Sequence, residues 1–175
     1  MHPRRPNAPA LLAALALAAS APTAQVVARG PLPARPPRAA VDAPAALPAG
    51  CVARVFGGHN YFFCPGDMPF DAARGFCRSL GADLAVIDSR YENDAHAEAV
   101  GALGRGRHLV GHHDRVTEGR FETVTGPPAT FNGWAVGEPN NAGEEDCVEL
   151  ADDGWNDVPC AGDTKNAFVC EPDGA

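Results

Sequence analysis

The stretch Phe131-Asn132-Gly133-Trp134-Ala135-Val136-Gly137-Glu138-Pro139-Asn140-Asn141-Ala142-Gly143-Glu144-Glu145-Asp146-Cys147, taken up again at Trp155-Asn156-Asp157-Val158-Pro159-Cys160, decides how this chain is read. From about Gly126 to Asp146 no apolar period of 3.6 or of two residues is present, and Gly, Pro, Asn and acids dominate. A loop of about 20 residues without regular structure is functional or disordered when it occurs inside a small domain. This one carries Trp134 and ends in the acid run Glu144-Glu145-Asp146, a combination that favours a loop ordered by a bound metal ion.

Both ends of the stretch carry cysteines, and the chain has six. An even count in an exported domain of this size points to disulfides rather than reactive thiols. Six cysteines allow 15 pairings, and the sequence does not choose among them. Cys51 and Cys64 flank two apolar runs around Gly57-Gly58, so a hairpin closed by that pair is reasonable. Cys147 and Cys160 flank a stretch of similar length, which leaves Cys77 and Cys170 as a long-range staple. No two cysteines stand at the C-x2-4-C spacing of a zinc site.

Upstream of the loop the periodicity is helical. Residues 69–80 place Phe70, Ala73, Phe76, Cys77 and Leu80 on one face, with Gly81 as a stop. Asp83-Leu84-Ala85-Val86-Ile87 reads as a short buried strand or extended link. Ser89 and Glu92 then make a capping-box spacing before an Ala-rich helix that runs to about Leu103. Beyond Arg107, short apolar pieces (His108 to Val110, Phe121 to Val124, Cys147 to Leu150, Ala167 to Cys170) alternate with turns. The order predicted is hairpin, two helices, then strands around the long loop.

Residues 1–50 are a different material. They hold 10 of the 17 prolines, one acid (Asp42) and no cysteine. Over residues 1–24, Arg4 and Arg5, the Ala/Leu run Ala10 to Ala19 and Pro22-Thr23-Ala24 follow the pattern of a secretory signal peptide, and the apolar run is too short to span a bilayer. Residues 25–50 are Pro, Ala and Arg, the composition of an extended, polyproline-like linker, with a basic anchor to an acidic surface as the alternative. The folded domain is assigned to 51–175. The mature protein is expected to be soluble outside the cytosol, either secreted or periplasmic, with no membrane span. The region after residue 50 has nine Lys and Arg against 21 Asp and Glu, a formal charge of −12 that would repel nucleic acid and suits carboxylates meant to hold cations.

The loop with its E-P-N and W-N-D signatures, each beside a cysteine, resembles the C-type lectin family. The likeness extends over nearly all of Cys51 to Glu171, including the first helix and the Cys77 to Cys170 staple. It implies an α+β, C-type lectin-like fold: two helices flanking small antiparallel sheets, a long calcium-binding loop and three disulfides. It also implies a principal calcium site of Glu138, Asn140, Glu145, Asn156 and Asp157, with a cis Pro139 between the first two ligands.

The chemistry suits that assignment. Calcium takes six to eight hard oxygen ligands. Three acids and two amides supply five of these side chains, and the amides keep NH2 donors free. Open coordination positions can take two adjacent hydroxyls, each also hydrogen-bonded to an amide and a carboxylate, so the site reads a vicinal diol. By resemblance, E-P-N selects glycans with equatorial 3- and 4-hydroxyls (mannose, fucose, N-acetylglucosamine), whereas Q-P-D selects galactose. A second, structural calcium site is implied at Asp114, Glu118, Asn141, Glu145 and Asp146, where Asp114 to Gly119 matches D-x-x-x-E-G and Asn141 stands where some members have Asp.

Two departures from the family bear on packing and affinity. Leu109-Val110-Gly111-His112 replaces the W-I-G-L strand of many members, which predicts a thinner core there. Ala142 is small, which predicts few contacts beyond the calcium.

Rival readings find less in the chain. Past residue 24 the only serines are Ser79 and Ser89, neither in G-x-S-x-G, so nucleophilic catalysis is hard to build and no enzyme is expected. His108, His112 and His113 beside Asp114 could suggest zinc, but without H-E-x-x-H they read as solvated histidines around a surface turn. A lectin-like domain that binds protein or another non-sugar ligand is the remaining alternative, since one fold hosts many functions. The intact ligand set argues against it.

Overall fold

The computed structural model describes residues 46–104, 106–162 and 167–172. The signal peptide read over 1–24 and most of the linker read over 25–50 lie outside these residues. The end of the linker is part of the fold: Leu47 packs against the core and the Pro48 carbonyl accepts the Cys51 N–H at 3.1 Å.

Ten elements follow in chain order: β1 (Val52–Phe56), β2 (His59–Cys64), α1 (Phe70–Ser79), β3 (Asp83–Leu84), α2 (Arg90–Leu103), β4 (His108–His113), β5 (Glu122–Thr123), β6 (Cys147–Ala151), β7 (Gly154–Val158) and β8 (Ala167–Glu171). β1 and β2 form a hairpin turned by Gly57-Gly58. α2 starts at the predicted Ser89–Glu92 pair, with the glutamate reaching one residue beyond the N-cap. Ser89 Oγ accepts the Glu92 N–H at 3.3 Å, and Glu92 reaches back to the Asp88 N–H at 3.0 Å. α1 has no such side-chain cap, and its first N–H is satisfied by the Cys160 carbonyl at 3.1 Å. One strand escaped the sequence reading: β7 carries Trp155-Asn156-Asp157 and pairs with β6 from Cys147–Val158 to Ala151–Gly154.

The strands join in the order β1-β2-β8-β4-β6-β7, with β3 on β8 and β5 on β4. Every pairing is antiparallel except β4 with β8, which makes the sheet mixed. Strand alternation divides the core between the two faces. Phe62, Cys64, Leu109, Phe168 and Cys170 pack with Phe70, Ala73 and Cys77 of α1. Tyr61, Phe63, Val110, Val148, Leu150 and Val169 pack with Ala99 and Val100 of α2. Disulfides join Cys51 to Cys64, Cys77 to Cys170 and Cys147 to Cys160.

The histidines overturn two sequence expectations. They do not ring a solvated turn: His108 and His112 lie in β4, fully or almost fully buried, and only His113 is partly exposed. Nor is the core thin beside them. The His112 ring lies 4.7 Å from that of Trp155, and its Nε2 accepts the Ile87 N–H at 3.0 Å. An accepting ring nitrogen carries no proton, and burial holds His112 neutral with a pKa of about 3. In β4 these side chains serve packing, which a neutral imidazole can do in a buried position and a charged imidazolium cannot.

His96 on α2 is a second buried imidazole, edge-on to Phe56 at 4.7 Å and Tyr61 at 4.5 Å, with Nδ1 2.8 Å from the Glu92 carbonyl. Burial, the largest cause, lowers its pKa from 6.5 to about 4. As pH falls below about 6.5 the unfolded chain takes up a proton that folded His96 refuses, so stability is lost down to about pH 4. At about 1.4 kcal/mol per pKa unit the loss from this residue reaches about 3 kcal/mol. We expect His96→Phe, which keeps the ring contacts, to flatten the fall in Tm between pH 7 and pH 4 in EDTA. Equal slopes for the two proteins would assign the acid sensitivity to other groups.

Candidate functional site

The long loop has little structure of its own and is fastened to β7. The Trp155 N–H donates to the Gly133 carbonyl, and the Ala135 N–H donates to the Trp155 carbonyl, both at 2.9 Å. The Trp155 ring is fully buried, edge-on to Phe131 at 5.7 Å and Trp134 at 5.6 Å. Its indole N–H donates to Asn93 Oδ1 on α2 at 2.8 Å. Such close docking needs glycine at position 154: φ is 129°, and a Cβ there would stand 2.8 Å from the Ala135 nitrogen. The far end of the loop is held by the Cys147 to Cys160 disulfide.

Between these anchors the chain turns through a cis Glu138–Pro139 peptide. Asp157, only 1% exposed, accepts the Asn140 N–H through Oδ1 at 3.1 Å and the Asn141 N–H through Oδ2 at 2.7 Å. The Asn140 amide donates to Glu138 Oε2. Partial desolvation, then a hydrogen bond with the Asp157 carboxyl and its charge, raises the Glu138 pKa, with Glu145 adding to the rise. Asn141, at φ 46°, accepts the Glu145 N–H at 2.7 Å, while Glu145 Oε2 accepts the Ala142 N–H at 2.8 Å. Hydrogen bonds thus bring Asp157 of β7 against the Glu138–Asn141 turn, with Glu145 within electrostatic reach of Glu138. Among the described residues Glu138, Glu145 and Asp157 do not close to within 4.8 Å of one another as the acids of the second site do.

Asn156, the fifth expected ligand, is held by β6. Its Nδ2 donates to Glu149 Oε1 at 2.9 Å, and the same oxygen accepts from Arg107 Nη1 at 2.5 Å. Glu149 stands opposite Asn156 on β6 and is 3% exposed. Sequence reasoning passed over Arg107 and Glu149. The available signal was an acid inside Cys147 to Leu150, a piece otherwise read as a buried strand, since a buried charge needs a partner.

A second cluster lies where β4 leaves the sheet. Carboxylate oxygens of Asp114, Glu118 and Asp146 lie within 4.8 Å of one another. Asp114 Oδ2 accepts the Gly119 N–H at 2.8 Å, whereas Oδ1 is buried with no hydrogen-bond partner. Burial first, and then the Asp146 charge, raises the Asp114 pKa, and Glu118 is raised in the same direction by desolvation and by Asp114. An orphaned buried carboxylate oxygen among like charges is the environment a divalent cation relieves. Glu145 is not among these clustered carboxylates, and it and Asn141 keep the loop partners named above.

The mixed sheet, the three disulfides and this docked loop define a C-type lectin domain. The chain belongs to that family, since the family model described as "Lectin C-type domain" matches residues 66–172. Mouse CD209 antigen-like protein A is 36% identical over 119 residues, which is 66% of this chain and 48% of that protein. This chain therefore spans about half the length of that curated relative. Among solved structures, the mouse scavenger receptor C-type lectin carbohydrate-recognition domain aligns with a TM-score of 0.63 at 30% identity, covering 68% of this chain and 93% of that one. The corresponding domain of cow CD23, determined in the presence of a GlcNAc2Man3 oligosaccharide, aligns at 0.61 and 28% identity over 72% of this chain and 95% of its own. These homologues are carbohydrate-recognition domains, a class that binds rather than catalyses.

The docking makes the loop sensitive to one glycine. Gly154→Ala should cost at least about 1 kcal/mol, because the new Cβ meets main chain at a φ that alanine resists. A denaturant midpoint equal to that of the parent would show that the loop is not tied to β7 as described.

Proposed function

We propose that this domain binds glycans in a calcium-dependent manner, preferring mannose-type sugars with equatorial 3- and 4-hydroxyls. The observation that carries the reading is the grip of Asp157 on the main chain of Asn140 and Asn141, which holds the W-N-D strand and the E-P-N turn together. Glu138, Asn140, Glu145, Asn156 and Asp157 would hold the principal ion. When bound, the ion supplies positive charge and open coordination positions for two sugar oxygens. The side chains themselves sort the hydroxyl protons: carboxylates can only accept and amide NH2 groups can donate, so a diol is met by both kinds of partner. Glu138 and Asn140, already hydrogen-bonded to each other, would set which edge of the sugar faces each group.

Asp114, Glu118 and Asp146 would hold a second, structural ion, and the unpartnered Asp114 Oδ1 supports that assignment. Three disulfides fit a protein that works outside the cytosol, and among the described residues no helix is long and apolar enough to cross a membrane.

Two measurements test the reading. The protein should be retained on immobilised mannose with calcium and released by a chelator, and Glu138→Gln with Asn140→Asp should shift preference toward galactose. Mannose retention that survives both the chelator and the double substitution would refute it. Calcium at about 100 times its Kd should stabilise the fold by about 2.7 kcal/mol per site. Asp114→Ala should remove the part of that gain due to the second site, and an undiminished calcium-induced rise in Tm would exclude Asp114 as a ligand.

A further inference from the structure

Asn156 poses a chemical problem for any cation site, because its amide has two ends of nearly equal shape and opposite polarity. With Oδ1 toward the ion it is a ligand. Turned over, it presents an NH2 group and repels the ion. Something beside the residue must choose.

The β6–β7 hairpin supplies the choice. Register places Glu149 directly opposite Asn156, and Glu149 Oε1 lies 2.9 Å from Asn156 Nδ2. A carboxylate oxygen takes hydrogens and offers none, so the amide edge facing Glu149 is the NH2 edge and the carbonyl is turned to the other side. Rotation of the amide would set two oxygens against each other at hydrogen-bond distance. Glu149 is held in its turn: Arg107, from the segment leading into β4, donates Nη1 to the same Oε1 at 2.5 Å. The Glu149 side chain is 4% exposed and that of Arg107 46% exposed, so a partly exposed cation neutralises a buried carboxylate. Arg107 also lies within electrostatic reach of Glu138.

From this geometry we infer that Glu149, fastened by Arg107, is a positioning residue that sets the polarity of the Asn156 amide, so that its carbonyl and not its NH2 group is presented to the principal cation. The inference rests on the calcium-dependent reading above and adds to it a device built from residues outside the ligand set. Partners that orient metal ligands commonly contribute 10- to 100-fold to metal affinity.

The test compares the full chain with Glu149→Leu, Glu149→Gln and Arg107→Ala, using calcium titration calorimetry and amide NMR of the calcium-free protein. We expect Glu149→Leu to weaken the principal site about tenfold while the Asp114 site keeps its affinity, the second site serving as an internal control for folding. Glu149→Gln retains an accepting oxygen and should lose less, and Arg107→Ala should lose least. In the calcium-free parent the Asn156 side-chain NH2 should be protected from solvent exchange, and the protection should vanish in Glu149→Leu. Should Glu149→Leu fail to fold, the graded losses in the other two variants carry the test.

An unchanged or tighter principal site in the Glu149 variants overturns the positioning role, a tighter site meaning that Glu149 holds Asn156 away from the ion. A parent that binds no calcium overturns the function and this inference together. A parent that binds calcium alongside unaffected variants overturns the inference alone.

Discussion

The arrangement depends on the main chain of Trp155. A segment without helix or strand has no internal ladder to satisfy its peptide groups, so it must borrow partners from elsewhere. Here Trp155 lends both its N–H and its carbonyl to Gly133 and Ala135, making the start of the loop an extra rung on β7. The fully buried indole then ties the same point to α2 through Asn93. Because Asn156 and Asp157 follow directly in the strand, the loop is registered against the residues it must meet. The tryptophan of W-N-D thus holds the loop against the two polar residues after it.

That registration forces acids together. Asp157 meets Glu138, with Glu145 close by, and Asp114 meets Glu118 and Asp146. The raised pKa values of Glu138, Asp114 and Glu118 all express the same cost, negative charge with too little solvent and too much company. Backbone N–H groups offset part of it, two of them at Asp157 and one at Asp114. The unpartnered Oδ1 of Asp114 marks where this compensation ends. Protein groups alone leave the cluster short of positive charge, whereas buried Asp83 and Glu149 each have an arginine, Arg74 and Arg107.

What could be read from the sequence follows from the range of each interaction. The capping box at Ser89 and Glu92, the apolar face of α1 and the Gly57-Gly58 hairpin depend on neighbours within a few residues, and they stand where the periodicity places them. β7 was hidden because Gly154-Trp155-Asn156-Asp157-Val158 shows little hydrophobic alternation. Its strand character comes from pairing with β6 on one side and from the loop on the other. The burial of His108 and His112 was misread for a related reason. Imidazole is polar by composition, but as the neutral tautomer with one nitrogen accepting from Ile87, His112 packs like an aromatic ring. The Arg107–Glu149–Asn156 chain was invisible because it joins three strand-associated positions whose adjacency is a matter of register.

Frame and loop rely on different forces, and this bears on how such a site can be kept. Two apolar cores on opposite faces of the sheet, with the staple from Cys77 to Cys170, hold the helices and strands through contacts that do not involve the E-P-N turn. The loop adds few buried apolar groups beyond Phe131 and Trp134, both only partly covered. Crowding carboxylates into the cores would destabilise the whole domain. Crowding them into a loop outside the cores confines the cost to a segment that can shift locally while the frame persists. The same separation lets the loop sequence vary, residue 142 included, without disturbing β6 or β7, provided that Gly154 admits the loop and Asp157 receives it.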